Sequence, residues 1–292
     1  MSKISYRVGI FILYLISYLP FTVLYLVSDV LYFFLYYVVK YRRKVVYGNL
    51  LNSFPEKDNE EIRRIEKKYF KFLADNILET IKMLSMSKET IKKRYHVVNP
   101  EEMQKHFDEG KSILAVTGHY GNWEWGSLIL SATFEEPLII VYKPLTDKRF
   151  EEFMNNMRSR FGAIMVAMKQ TLRRIAQFRQ QKFYAVLIGD QTPAWVETKY
   201  FTTFLNQPTA VFLGVEKIAK MTNSPVVYCR SNLIKRGYYE CIFETLVEDP
   251  NNTSEYEITN LHTNYLERII RQRPELWLWS HKRWKRKPED FK

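Results

Sequence analysis

From Lys111 onward the chain repeats one texture: a short apolar run, an amphipathic stretch, then another apolar run. The runs SILAVTG, PLIIVYK, AIMVA and FYAVLIGD are separated by NWEWGSLILSA, DKRFEEFMNNMRSRF and TLRRIAQFRQ. Continuous apolar runs of this length suit strands covered on both faces, and the segments between them carry helical spacing. Strands that alternate with helices pair in parallel, because each helical crossover returns the chain to the same end of the sheet. The expected fold class is therefore α/β, with a largely parallel central sheet flanked by helices. Sheets of this kind place their ligands beyond the carboxyl ends of the strands.

The first forty residues read differently. Val8 to Val27 carries no charge, and about 20 apolar residues is what a hydrocarbon core of roughly 30 Å requires. Pro20 would kink such a span and Asp29 interrupts its continuation. LYFFLYYVV from Leu31 to Val39 adds a shorter apolar run, so a re-entrant or interfacial segment stays open. A very hydrophobic core helix of a soluble protein is the bland alternative. Lys3 and Arg7 precede the run, and Lys40, Arg42, Arg43 and Lys44 come after it, a bias that puts the downstream domain in the cytoplasm. The apolar region is too long for a cleaved signal peptide, and it has no small-residue cleavage site after it. The expected organisation is a membrane anchor over 1–40, a helical connecting region over 41–110, and an α/β core with a basic tail over 111–292. The connecting region holds an amphipathic helix from Asp58 to Met86 with Asp58 as N-cap. Beyond the alternating region, PVVYCRS and GYYECIFETL read as two strands joined by a turn at Lys235 to Gly237, and Ser254 to Arg271 as a last helix.

Lys and Arg number 44 against 32 Asp and Glu, a net charge of +12 that implies a negatively charged partner such as phosphate, an anionic membrane or an acidic protein. Nucleic acid is not that partner, because zinc-finger spacing, RNP-like stretches and basic-region heptads are all missing. Cys229 and Cys241 lie in strand-like runs without C-x-x-C spacing, and read as buried thiols in a reducing compartment, with a bridge across the hairpin left open.

The stretch TGHYGNWEW, Thr117 to Trp125, holds the candidate chemistry. On one continuous helix, His119 and Glu124 would be turned away from each other at about 100° per residue. A loop running into a helix can join them. Gly118 and His119 fall at the carboxyl end of SILAVT, and Asn122 can cap the helix that starts at Trp123. Gly118 and Gly121 let the loop turn and let a substrate approach the backbone. Glu124 can then reach back to one imidazole nitrogen, leaving the other to take a proton from a hydroxyl. Neither a G-x-S-x-G elbow nor a cysteine beside a histidine supplies a nucleophile, so direct transfer to a bound alcohol is expected. A simple hydrogen-bonded polar pair is the alternative. A metal pair is weaker, since H-x-x-x-x-E is not H-E-x-x-H and no third ligand has a recognisable spacing, so no metal is expected.

GHYGNWEW resembles the H-x-x-x-x-E block of the bacterial lipid A late acyltransferase family, the lauroyl and myristoyl transferases, and more distantly the glycerolipid acyltransferases. The resemblance continues, in the family's order, through RKVVYGNLLNSFPE, FLADNILETIKM, VYKP, MRSRFGAIMV, GDQTP, FLNQPTAV and LWLWSHKRWKRKP. It implies a glycerolipid-acyltransferase-like core that moves a fatty acyl chain from a thioester to a hydroxyl of a lipid A precursor. The donor implied is acyl carrier protein, an acidic partner that suits the +12 charge. The place implied is the bacterial inner membrane with the catalytic domain facing the cytoplasm, and no cofactor beyond the acyl thioester is required. His119 is then the general base and Glu124 its orienting partner. Arg158 and Asp190 match further polar positions: Arg158 could hold a phosphate or a developing oxyanion, and Asp190 could fix Arg158 or a sugar hydroxyl. Gln191 shares that turn, and with Gly118 and Asn122 completes the expected substrate-binding set. The chain departs from the family at FLNQP, where Leu205 and Asn206 stand in place of the usual glycine. The tail SHKRWKRKP, with cations around Trp284, suits anionic lipid headgroups. Acceptors such as a glycerophospholipid, an aminolipid or a glycolipid remain open, as do a hydrolase and a non-catalytic lipid-binding protein.

Overall fold

The computed structural model describes residues 3–178 and 180–291. Its elements are α1 (Lys3–Tyr18), α2 (Phe21–Phe33), a π-helical turn (Phe34–Val38), α3 (Arg43–Ser53), α4 (Asn59–Lys82), α5 (Lys88–Arg94), β1 (Tyr95–Val97), α6 (Glu101–Asp108), β2 (Ile113–Thr117), α7 (Trp123–Thr133), β3 (Leu138–Tyr142), α8 (Lys148–Arg158), β4 (Ile164–Ala167), α9 (Thr171–Ala176), β5 (Tyr184–Ile188), β6 (Phe201–Phe204), β7 (Gln207–Ala210), α10 (Gly214–Thr222), β8 (Val226–Lys235), β9 (Tyr238–Val247) and α11 (Glu257–Gln272).

Seven strands form the central sheet in the order β1-β9-β8-β2-β5-β3-β4. Every pairing in it is parallel except β8 with β9, the hairpin that turns at Lys235 to Gly237. The α/β class with a largely parallel sheet is thus as the alternation of the chain implies. β1 lies before residue 111, so the sheet recruits a strand from the stretch expected as the helical connecting region. The β2–β5 register sets Thr117 against Ile188, which brings the next residues of both strands, Gly118–His119 and Gly189–Asp190, to the same carboxyl edge.

The apolar N-terminus is two helices rather than one run from Val8 to Val27. Pro20, at φ −55° and ψ 147°, separates α1 from α2, because it offers no amide hydrogen and holds its own backbone extended. The segment long and apolar enough to cross a membrane is Phe21–Val38, with mean hydropathy 1.7 and 17% of it buried. One face of α2 is polar and locked to α4: Tyr25 donates to Glu79 Oε1, Ser28 donates to Asp75 Oδ1, and Arg236 bridges Asp29 and Asp75. The i, i+3, i+4 spacing of Tyr25, Ser28 and Asp29 puts them on one stripe and leaves Val23, Leu26, Val30 and Phe33 outward.

α4 starts as its N-cap predicts, with Asp58 accepting the amide hydrogens of Glu60 and Glu61. It buries Glu79, whose carboxylate accepts from Tyr25, Tyr239 and Asn122, each at 2.7 Å. Burial lifts the Glu79 carboxyl to about 7, against the pull of those hydrogen bonds. A carboxyl raised in the fold contributes stability that is complete below its ordinary 4.5 and is lost as pH rises to about 7. The loss is about 3 kcal/mol at about 1.4 kcal/mol per unit. Buried His262 and half-buried His281, lowered by burial to about 4, act in the opposite sense over an overlapping range, so the test is a difference. The melting temperature of Glu79→Gln minus that of the parent is expected to rise from pH 5 to about pH 7 and level off above it; a flat difference throughout would contradict the assignment.

The β6–β7 hairpin turns on Leu205 (φ 50°) and Asn206 (φ 63°), both in the left-handed region that a two-residue hairpin of the type I′ class needs. Glycine is the low-cost residue there. In this chain the turn is held instead by full burial of the Leu205 side chain, by its amide donating to Glu267 Oε2, and by Asn206 donating to the Ser53 carbonyl. The departure from the family's glycine therefore leaves the turn in place.

Candidate active site

His119 and Asp190 meet across the carboxyl edge of β2 and β5. The imidazole Nδ1 lies 2.6 Å from Asp190 Oδ1, and the His119 backbone amide donates to Oδ2 at 2.8 Å. Trp277, from the C-terminal segment, donates its indole hydrogen to the same Oδ2 at 2.8 Å. Burial alone would raise the Asp190 carboxyl, but the His119 ring and the donors from His119 and Trp277 outweigh it and hold it at about 2. An ionised carboxylate only accepts, so the proton on Nδ1 points at Asp190 and the lone pair is on Nε2. Gln191 donates to that Nε2 at 3.2 Å.

Glu124 is not the partner of His119. It forms a two-point pair with Arg158, Nε to Oε2 at 2.8 Å and Nη2 to Oε1 at 2.6 Å. The end of α8 lies beside the first turn of α7, and Arg158 there takes both carboxylate oxygens of Glu124. Burial opposes charge on Arg158, but the Glu124 hydrogen bond and its charge win and raise the guanidinium further.

The space at Gly118 and the side chain of Asn122 are taken up by protein. A Cβ at Gly118 would stand 2.9 Å from Leu266 and 3.4 Å from Asp190 Oδ2, and one at Gly121 (φ +62°) would stand 2.5 Å from the Ser231 carbonyl. These glycines admit protein. Asn122 is fully buried; its Oδ1 accepts the Trp125 amide and caps α7, while its Nδ2 donates to Glu79.

His119, Glu124, Arg158 and Gln191 line one cavity of about 700 Å³ at the sheet edge. Its walls are mostly apolar: Leu130 of α7, Ile140 of β3, Met154 of α8, Leu172 of α9 and Ile218 of α10 are among them. The His119 side chain is 18% exposed against 4% for Asp190, so the ring meets the cavity while its partner is sealed behind it. A volume of this size with a few converging polar groups fits a small-molecule or lipid-chain site. Cys229 and Cys241 are free buried thiols on its wall, offset by two in the hairpin register rather than opposite.

The tail is less solvated than its composition suggests. Arg283 is 3% exposed, and Trp284 lies between Phe204 and Trp277 and donates to Thr209. Lys282, Lys285, Arg286 and Lys287 line a basic groove of about 550 Å³ with Lys44 and Asn49 of α3. The GDQTP loop is tied to this tail: Thr192 donates its amide to His281 Nε2 and its hydroxyl to the Arg283 carbonyl. Sequence reasoning misses Trp277 and the tail as supports of Asp190, because 87 residues separate Asp190 from Trp277. The density of tryptophan in LWLWSHKRW is the one signal that points there.

The family model for bacterial lipid A biosynthesis acyltransferase matches residues 2–286. The lipid A biosynthesis lauroyltransferase of Escherichia coli is 24% identical over 285 residues, covering 96% of this chain and 91% of that protein. A lipid A biosynthesis acyltransferase of Haemophilus influenzae is 22% identical, covering 93% and 84%. The palmitoleoyltransferase of Escherichia coli is 20% identical, covering 86% and 81%. The family match and these relatives make the protein an acyltransferase enzyme. It belongs to the bacterial lipid A biosynthesis acyltransferase family.

Proposed function

We propose that the protein is a membrane-anchored O-acyltransferase that moves a fatty acyl chain from acyl carrier protein to a hydroxyl of a lipid A precursor, at the cytoplasmic face of the bacterial inner membrane. The observation that carries this reading is the His119–Asp190 pair, with Nε2 turned to a largely apolar cavity. In the reaction Nε2 takes the hydroxyl proton as the oxygen attacks the thioester carbonyl, and Asp190 stabilises the imidazolium that forms. The negative charge that gathers on the carbonyl oxygen lies on the side of Arg158, held in place by Glu124. Collapse breaks the carbon–sulfur bond, and the leaving thiolate recovers the proton from Nε2. The acyl thioester is a co-substrate, and no other cofactor has a part in these steps.

The +12 charge and the basic groove support an acidic carrier and anionic lipid. Phe21–Val38 supports the anchor, and the cations at 40–44 support the cytoplasmic orientation. The test is mass spectrometry on detergent-purified protein given acyl carrier protein thioesters of several lengths and a lipid A precursor. A mass gain of one acyl chain on the precursor, lost in His119→Ala, is expected. Acylation of a glycerophospholipid or an aminolipid in its place would reassign the acceptor, and free fatty acid as the sole product would make the enzyme a hydrolase.

A further inference from the structure

Against Asp190, and sharing Thr117 and Gly189 with the larger cavity, lies a second and very small cavity of about 10 Å³. It is lined by Thr117 of β2, Gly189 and Asp190 after β5, Tyr228 of β8, His262, Thr263 and Leu266 of α11, and Arg283 of the tail, with Phe204 and Val211 closing it. Three of these side chains carry buried polar atoms without a hydrogen-bond partner among the described residues: the Tyr228 hydroxyl, His262 Nε2, and Nε and Nη1 of Arg283. Tyr228, His262 and Arg283 are 1%, 6% and 3% exposed. Orphaned buried donors are uncommon, and three groups aimed at one space point to a shared ligand. The volume is that of a single water, which needs about 10–15 Å³ and two to four polar partners. Asp190 is the carboxylate that acts on all three through its charge, and burial draws the Arg283 guanidinium down to about 10.

We propose that this cavity binds one internal water, and that Arg283 is a positioning residue for the active centre, acting through that water on the rear of Asp190. The water accepts from Arg283 and Tyr228 and donates to the lone pair of Asp190 Oδ1 that His119 leaves free. The carboxylate is thus gripped from both sides: His119 and Trp277 in front, and a buried cation behind. Arg283 keeps Asp190 in register with Nδ1. It also sets a positive charge beyond the dyad. The titratable groups that face the pair are His119, His262, His281, Tyr228 and Arg283, with Glu216 beside His262. The inference rests on the His119–Asp190 reading above.

The test is a double-mutant cycle on the full-length enzyme. Arg283→Met keeps the packed stem and removes the guanidinium. It is expected to lower kcat about 10- to 100-fold with KM for both substrates within about threefold, and to move the acid limb of kcat/KM up by about half a pH unit or more. In an Asp190→Asn background the same change is expected to alter kcat by less than about twofold, because the group it acts through is gone. Tyr228→Phe, which keeps the ring stacked on Tyr265, is expected to show a smaller loss of the same pattern. Equal losses in both backgrounds, or an acid limb that does not move, would overturn the proposal by making Arg283 a packing residue alone. If Arg283→Met does not fold, Arg283→Lys and Tyr228→Phe carry the cycle: Lys should hold the acid limb in place, and Phe should again lose kcat only where Asp190 is present. An Asp190→Asn enzyme with full kcat would sink the dyad itself, an outcome distinct from failure of the Arg283 cycle.

Discussion

Asp190→Asn is expected to lower kcat by about 10²- to 10³-fold while leaving the enzyme folded and KM little changed. The carboxylate accepts from Nδ1, which puts the lone pair onto Nε2, where the proposed mechanism has the hydroxyl deliver its proton. An asparagine amide can present its NH2 group to Nδ1, which moves the ring proton to Nε2 and leaves no base facing the cavity. It also leaves the imidazolium of the transition state without its counter-charge. His119→Ala should cost as much or more, toward the upper end of the roughly 10² to 10⁴ that general-base catalysis contributes. The two losses should not add, because both remove one functional unit. Since Asp190 is held at about 2, it stays ionised through any working range, so an acid limb in kcat/KM near neutrality reports another group. Single-turnover rates with a thioester donor decide the matter, and a fully active Asp190→Asn enzyme would remove the dyad.

The sheet is legible in the sequence because apolar runs and helical spacing are local properties: SILAVT, PLIIVYK and FYAVLIG each form a strand, and Asp58 and Asn122 each cap a helix. His119 is legible too, as a histidine at a strand's carboxyl end. The hidden part depends on register and long-range packing. Nothing near Thr117 reveals that β2 lies beside β5 with Ile188 opposite, yet that pairing alone delivers Asp190 to the imidazole. The same blindness assigns Glu124 to His119 by nearness along the chain, when the end of α8, 34 residues on, supplies its true partner. Gly118 and Gly121 look like room for substrate, and only the positions of Leu266 and Ser231 show that protein fills that room. Pro20 reads as a kink in one span, whereas it ends α1 outright and α2 turns its polar stripe to Asp75 and Glu79.

The Glu124–Arg158 pair separates structure from chemistry. Both groups are mostly buried, their side chains 10% and 24% exposed, and both line the cavity. Removing one partner of such a pair strands the other charge, at a cost of about 3–5 kcal/mol. Glu124→Ala and Arg158→Met are therefore each expected to lower the melting temperature by several degrees, as well as to reduce transfer by about 10²-fold or more. Replacing both with methionine removes both charges together, and apolar substitution of a whole buried pair is often neutral or stabilising. The double variant should regain most of the lost melting temperature. It should not regain activity, because the guanidinium proposed to stabilise the carbonyl oxygen is still missing. A double variant that transfers acyl chains at the parent rate would show that Arg158 only braces α8 against α7, and would leave the oxyanion to be stabilised by other donors of the cavity.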